Sequence, residues 1–234
     1  MVIEVSLSPA LYPFRTIRQH HATVAVDLLR ATTAVCAAFQ AGCREVVPLD
    51  SLEALEEYRP TGYKIAAERG GKKLPGSDYG NSPTEYLRHD LAGVRLAYST
   101  TNGTVSILKA ADADLAFAGS FANLTVLEER LRSVAMDVVV LCSGWKNDFC
   151  IEDTLVAGAL IEKLSDVATP HGDSAHMAVA LWQQAKADPY GFCLGRASHV
   201  QRLKGFGAEE DIRFAFRQDT CPVVPILKDG ILTL

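Results

Sequence analysis

The stretch Ala22-Thr23-Val24-Ala25-Val26-Asp27-Leu28-Leu29-Arg30-Ala31-Thr32-Thr33 decides the reading of this chain. An apolar run of strand length ends in an acid, and a helix-like pattern starts at Thr33. In open α/β sheets ligands bind outside the carboxyl ends of the strands, where the N–H groups of the following helix turn attract anions. Asp27 is therefore placed to hold a metal, and Arg30, Thr32 and Thr33 to hold an anion. A structural reading stands beside this one: the acid caps the helix and Arg30 is its surface partner.

Outward from this unit, strand-length runs recur at 2–7, 45–49, 63–67, 94–98, 114–118, 137–142 and 223–227. Helical patterns fall between many of them, at 33–41, 52–58, 103–110, 122–133, 153–164 and 174–187. Such alternation predicts a three-layer α/β/α fold whose mostly parallel sheet is buried on both faces. The C-terminal end reads instead as a hairpin turned at Asp229-Gly230, so the sheet is expected to be mixed. Residues 166–220 show no central strand and read as a helical cap or subdomain on a single α/β domain spanning 1–234. The apolar helix around Ala178-Val179-Ala180-Leu181-Trp182 suits a homodimer interface or a core, and periodicity does not separate the two.

Composition narrows the class. The 234 residues are 48% hydrophobic and 22% charged, as in soluble globular proteins. A net charge of −5 with scattered basic residues argues against nucleic-acid binding. Six cysteines without a C-x-x-C pair read as reduced core thiols of a cytoplasmic protein, not as a zinc site or disulfide framework. No apolar stretch reaches the roughly 18 residues of a membrane span, so neither export nor anchoring is expected.

Several further strand ends carry polar clusters. After 63–67 come Glu68 and Arg69, then a long loop closing on Gly80-Asn81-Ser82-Pro83, where Ser82 and Pro83 suit a helix start. Glu68 is either a solvent-facing acid or a partner for Asp27 around a hard cation such as Mg²⁺. Ser99-Thr100-Thr101-Asn102-Gly103-Thr104 offers more hydroxyls and N–H groups than a cap needs and suits a phosphate or sulfonate. Small residues at Gly119-Ser120 and Ser143-Gly144 allow a ligand close to the backbone. Glu152 and Asp153 open a helix, where they complement its dipole or face the site as metal ligands or a base. No Walker A loop, C-x₅-R phosphatase signature or G-x-S-x-G elbow occurs. His171 and His176 fall on different helix faces and read as surface residues.

The strings V-D-L-L-R-A-T-T, A-E-R-G-G with G-N-S-P-x-E-Y, S-T-T-N-G-T, A-G-S-F-x-N, C-S-G-W and E-D-T stand here in the order and spacing of the 2-phosphosulfolactate phosphatase family, which the chain resembles densely over 22–160. The resemblance implies a Mg²⁺-dependent phosphatase that converts the small anionic ester 2-phospho-3-sulfolactate to 3-sulfolactate, a step toward coenzyme M. On that reading Asp27, Glu68 and Asp153 hold Mg²⁺. Arg30, Thr100, Thr101, Asn102 and Gly103 bind the phosphoryl group, Arg69, Asn81 and Ser120 contact the carboxylate or sulfonate, and Thr32 is a further substrate-binding residue. Glu152 is the candidate for activating water, in the catalytic set with Asp27 and Arg30. The same pockets also suit a non-catalytic binder of small organic anions, a phosphatase for a different small phospho-acid, or a phosphatase that forms a covalent intermediate on Asp27.

Overall fold

The computed structural model describes all residues, Met1–Leu234. The strands are β1 (Val2–Ser6), β2 (His21–Val26), β3 (Glu45–Pro48), β4 (Lys64–Arg69), β5 (Lys72–Lys73), β6 (Arg95–Ser99), β7 (Leu115–Gly119), β8 (Asp137–Cys142), β9 (Thr169–His171), β10 (Ile226–Lys228) and β11 (Ile231–Thr233). Helices α1 (Ala31–Gln40), α2 (Leu52–Tyr58), α3 (Pro83–Leu87), α4 (Gly103–Lys109), α5 (Leu124–Val134) and α6 (Ile151–Lys163) are interleaved with them. They are followed by α7 (Asp173–Ala185), α8 (Pro189–Leu194), α9 (Ser198–Lys204) and α10 (Glu209–Ala215). The three-layer, mixed and mostly parallel architecture expected from the alternation is borne out.

All strands join one sheet in the order β5-β4-β6-β3-β11-β10-β7-β2-β8-β1-β9. The hairpin turned at Asp229-Gly230 is the hinge of this arrangement. Strand β10 pairs antiparallel with β7 and β11 antiparallel with β3, so the last residues of the chain join two otherwise separate parallel groups. Region 166–220 holds one strand, β9, which pairs with β1 at the sheet edge. The loop after β4 is more ordered than its composition suggests: Gly70 and Gly71, both at positive φ, turn the chain back so that β5 pairs antiparallel with β4.

Alternation along β2 explains why the central strands read as continuous apolar runs. Val24 and Val26 enter a core of 34 buried residues that includes α6, α7 and residues of α8 to α10. Ala25 points the other way, into a core of 23 residues built on α1, β6 and the terminal hairpin. Both faces are covered, as parallel sheets require. Ala178 and Trp182 of α7 are buried in the first core, where α7 crosses α6 at Gly158. A Cβ at Gly158 would lie 2.2 Å from the Ala178 carbonyl oxygen, so the two helix backbones touch there.

Register sets the working end of the sheet. Val26 stands level with Gly119 and with Cys142, which aligns the residues that follow β7, β2 and β8. Five strands separate β2 from β4 in the sheet order. A flat sheet with about 4.8 Å between neighbours would hold their ends more than about 25 Å apart. Asp27 and Glu68 nevertheless line one pocket, so the sheet is strongly curled.

Leu232 is fully buried between the two strand groups, whereas Thr233 is exposed. Leu232→Ala is expected to lower unfolding stability by about 2 to 4 kcal/mol in urea titrations, and Thr233→Ala by less than about 0.5 kcal/mol. Equal effects would contradict the bridging role of the hairpin.

Candidate active site

The pocket at the carboxyl ends of the strands is lined by Asp27, Leu29, Arg30, Glu68, Gly71, Asn81, Asn102, Trp145, His199, Arg202 and Leu203. Asp27 directly follows β2. Its Oδ1 accepts from the Ala31 N–H at 3.1 Å, which fixes the carboxylate at the start of α1. Gly103 packs against the other oxygen so closely that a Cβ there would lie 2.6 Å from Oδ2. Gly103 thus serves by its bareness, keeping room for the Asp27 carboxylate. Burial, with Glu68 and Glu152 adding to it, raises the pKa of Asp27 to about 6, against the opposing pull of His199 and the Ala31 N–H.

Glu68, at the end of β4, accepts from the Thr101 hydroxyl at 3.1 Å and the Thr101 N–H at 3.3 Å, and also from the Gly71 N–H. Thr101 therefore orients a carboxylate here. Asn81 accepts from the Tyr98 hydroxyl through its side-chain oxygen, leaving its amide nitrogen for a ligand. Asn102 lines the pocket directly.

Other residues expected at the site stand behind the pocket wall. The Thr32 hydroxyl donates to the Gly119 and Asp27 carbonyls at 2.7 and 2.9 Å. Thr33 does the same to Leu28 at 2.8 Å. Thr100 and Thr104 cap each other's N–H groups, and Ser120 forms a capping box with Asn123. Arg69 reaches the Glu68 carbonyl at 2.7 Å and the Ser99 hydroxyl at 2.9 Å, outside the lining. Asp153 accepts from the Leu28 and Gly144 N–H groups at 2.8 and 3.0 Å, tying together the loops after β2 and β8. Burial and the neighbouring Asp27 push its pKa up. The three expected metal carboxylates do not converge as one cluster; the single trio of potential ligands that does is Cys150, Glu152 and His199. Glu152 is buried away from the lining, with one oxygen 3.1 Å from His199 Nδ1.

The C-terminal helices supply what the sequence reading lacked. Arg30 is paired with Asp211 of α10 at 2.7 Å and donates to the Gly71 carbonyl at 2.7 Å. Asp211 also accepts from the Ser82 and Thr84 hydroxyls at 2.6 and 2.7 Å. Arg202 of α9 lies 3.4 Å above the Trp145 ring and 2.6 Å from His199 Nε2. Unlike Arg30 it has no carboxylate within ion-pair distance. An arginine can only donate, so His199 Nε2 accepts from it and the neutral ring carries its proton on Nδ1, the nitrogen 3.1 Å from Glu152. His199 and Arg202, three apart on a helix, share a face. That spacing was the only signal in the sequence, and many solvent-facing pairs have it.

A sequence profile of the 2-phosphosulpholactate phosphatase family matches residues 7–230. The chain belongs to this family. A relative from Thermotoga maritima, named as a probable 2-phosphosulfolactate phosphatase, is 34% identical over 211 residues, covering 90% of this chain and 91% of its own. One of the same name from Gloeobacter violaceus is 36% identical over 230 residues, covering 96% and 94%. No helix is long and apolar enough to cross a membrane.

The raised pKa of Asp27 has a consequence for stability. A carboxyl that titrates higher in the fold than in the unfolded chain stabilises the fold while protonated, and this contribution is lost as pH rises through about 6. With EDTA present, Asp27→Asn is expected to be more stable than the parent by roughly 1 to 3 kcal/mol at about pH 8, with little difference at about pH 4. Urea unfolding at the two pH values measures this, and a variant less stable at both would contradict it.

Proposed function

We propose that the protein hydrolyses the phosphate ester of 2-phospho-3-sulfolactate to 3-sulfolactate and phosphate, with Mg²⁺ as cofactor. The observation that carries this reading is one pocket holding two carboxylates, Asp27 and Glu68, and one arginine, Arg202, without a carboxylate partner. Such a pocket suits a divalent cation together with a multiply charged anion.

The carboxylates fit a hard cation. Mg²⁺ prefers oxygen donors and is commonly held by one or two carboxylates with waters. Asp27 Oδ2 makes no hydrogen bond within the chain, and the crowding of Asp27 by Glu68 and Glu152 is of the kind a cation relieves. Asp27 and Glu68 would hold Mg²⁺, which supplies charge neutralisation at the phosphoryl oxygens. Asp153 supports this pair from behind by fixing the loop that follows Asp27.

Arg202 receives an anionic group of the substrate, its guanidinium held flat by Trp145. Arg30, already neutralised by Asp211, shapes the opposite wall and offers its remaining N–H groups. Asn81 and Asn102 add neutral donors for the carboxylate or sulfonate. His199 is the group on the lining able to carry a proton to or from the reacting oxygens, and Glu152 positions it through Nδ1. Glu152 thus acts through the imidazole.

Phosphate release from racemic 2-phospho-3-sulfolactate, with phosphoglycolate and 3-phosphoglycerate as controls, tests the assignment. The expected result is release from the sulfonated ester that EDTA abolishes and Mg²⁺ restores. Release from none of the three by the folded protein would overturn it. Arg202→Ala should lower kcat/KM by roughly 30- to 150-fold, corresponding to about 2 to 3 kcal/mol for a lost charged hydrogen bond. Unchanged kcat/KM would remove Arg202 from the anion site.

A further inference from the structure

Glu152 poses a problem that its role beside His199 does not fully solve. Its side chain is 1% exposed, and neither carboxylate oxygen makes a well-aligned hydrogen bond. Its close polar neighbours are His199 Nδ1 at 3.1 Å and the Cys150 thiol. A buried carboxylate without well-aligned donors is costly, and native structures nearly always satisfy such groups with protein, water or an ion. Cys150, also buried, completes the surroundings: one donor atom each from Cys150, Glu152 and His199 lies within 4.8 Å of the others. The three come from two segments. Cys150 stands at the N-terminal boundary of α6, with Glu152 in its first turn, and His199 descends from α9.

We propose that Cys150 Sγ, a Glu152 carboxylate oxygen and His199 Nδ1 form a second cation site, for a thiophilic divalent ion of the Zn²⁺ class, distinct from the pair Asp27 and Glu68. A sulfur, nitrogen and oxygen donor set favours Zn²⁺ or Co²⁺ over Mg²⁺. Bond lengths of 2.0 to 2.3 Å in a tetrahedral site place donors about 3.3 to 3.8 Å apart. Torsional adjustment of side chains closes the present spacing by about 1 Å. On binding, the Cys150 thiol proton is released to solvent, while the His199 proton moves from Nδ1 to Nε2, which frees Nδ1 for the ion and parts Nε2 from the Arg202 guanidinium. Three protein ligands leave a fourth position, and His199 also lines the main pocket. An ion held here fixes the imidazole and removes it from proton transfer, so the site inhibits. That last consequence rests on the role proposed above for His199, whereas the binding does not.

The test is a titration of the full-length protein with Co²⁺ in excess Mg²⁺, which occupies the oxygen-only site, followed by absorption spectroscopy. One Co²⁺ per chain with a thiolate-to-cobalt charge-transfer band and tetrahedral d–d bands is expected, displaced by Zn²⁺. Cys150→Ser should abolish the charge-transfer band and weaken binding at least about tenfold, while Cys43→Ser, at a thiol that donates to the Glu45 and Val94 carbonyls, should change neither. X-ray absorption of the Zn²⁺-loaded parent protein needs no variant and should show one sulfur neighbour at about 2.3 Å. In the phosphate assay, Zn²⁺ should inhibit the parent and spare Cys150→Ser. No Co²⁺ uptake, or uptake with oxygen and nitrogen neighbours alone, would overturn the proposal whether or not the protein proves to be a phosphatase.

Discussion

The buried ion pair between Arg30 and Asp211 holds the working end of the molecule together. Both side chains are less than a tenth exposed. Two charges removed from water are tolerable only when each is paired and its remaining donors or acceptors are satisfied. Here the Gly71 carbonyl takes a second N–H of Arg30, and the Ser82 and Thr84 hydroxyls serve the second oxygen of Asp211. Three separate segments thereby meet: the turn after β2, the loop between β4 and α3, and α10. The curl of the sheet brings the first two together, and the ion pair adds the C-terminal helices. Because α9 precedes α10 directly, fixing Asp211 also fixes the height at which His199 and Arg202 enter the pocket.

Carboxylates in this region fall into two kinds. Asp153 and Asp211 are saturated by N–H and O–H donors and organise loops. Asp27 keeps an oxygen free of hydrogen bonds, and Glu152 lacks well-aligned donors altogether. Glu68 lies between, oriented by Thr101 and Gly71 yet facing the pocket. The difference lies in the supply of N–H and O–H donors, from backbone or side chain, near each group. Reactivity toward cations is expected where that supply falls short, since a buried anion must then find its counter-charge elsewhere.

Much of this was legible in the sequence where local rules decide. Strand β2 is buried on both faces and reads as an apolar run, and the acid that ends it lies at a ligand-binding edge. The Asp229-Gly230 turn forecast the hairpin, though not that it would bridge two strand groups, because pairing partners depend on the whole sheet. Hydroxyls at strand-to-helix junctions were the least reliable guide. Thr32, Thr100 and Ser120 sit where a ligand could be bound, but unsatisfied main-chain groups at those turns claim them first. His199, Arg202 and Asp211 were beyond local reasoning, since their positions follow from how α9 and α10 pack against the strand ends. Glu152 illustrates the same limit: its helix-start position suggests a dipole role, and only the packing of α9 reveals the histidine facing it.

Hydrogen–deuterium exchange on Asp211→Asn most directly tests the dependence of the site on the buried pair. The expected result is joint loss of protection in residues 189–215 and in the loop from Gly70 to Thr84, with β2, β7 and β8 as protected as in the parent protein. Unchanged exchange in both segments would contradict the central place given to this interaction, as would a uniform loss across the sheet.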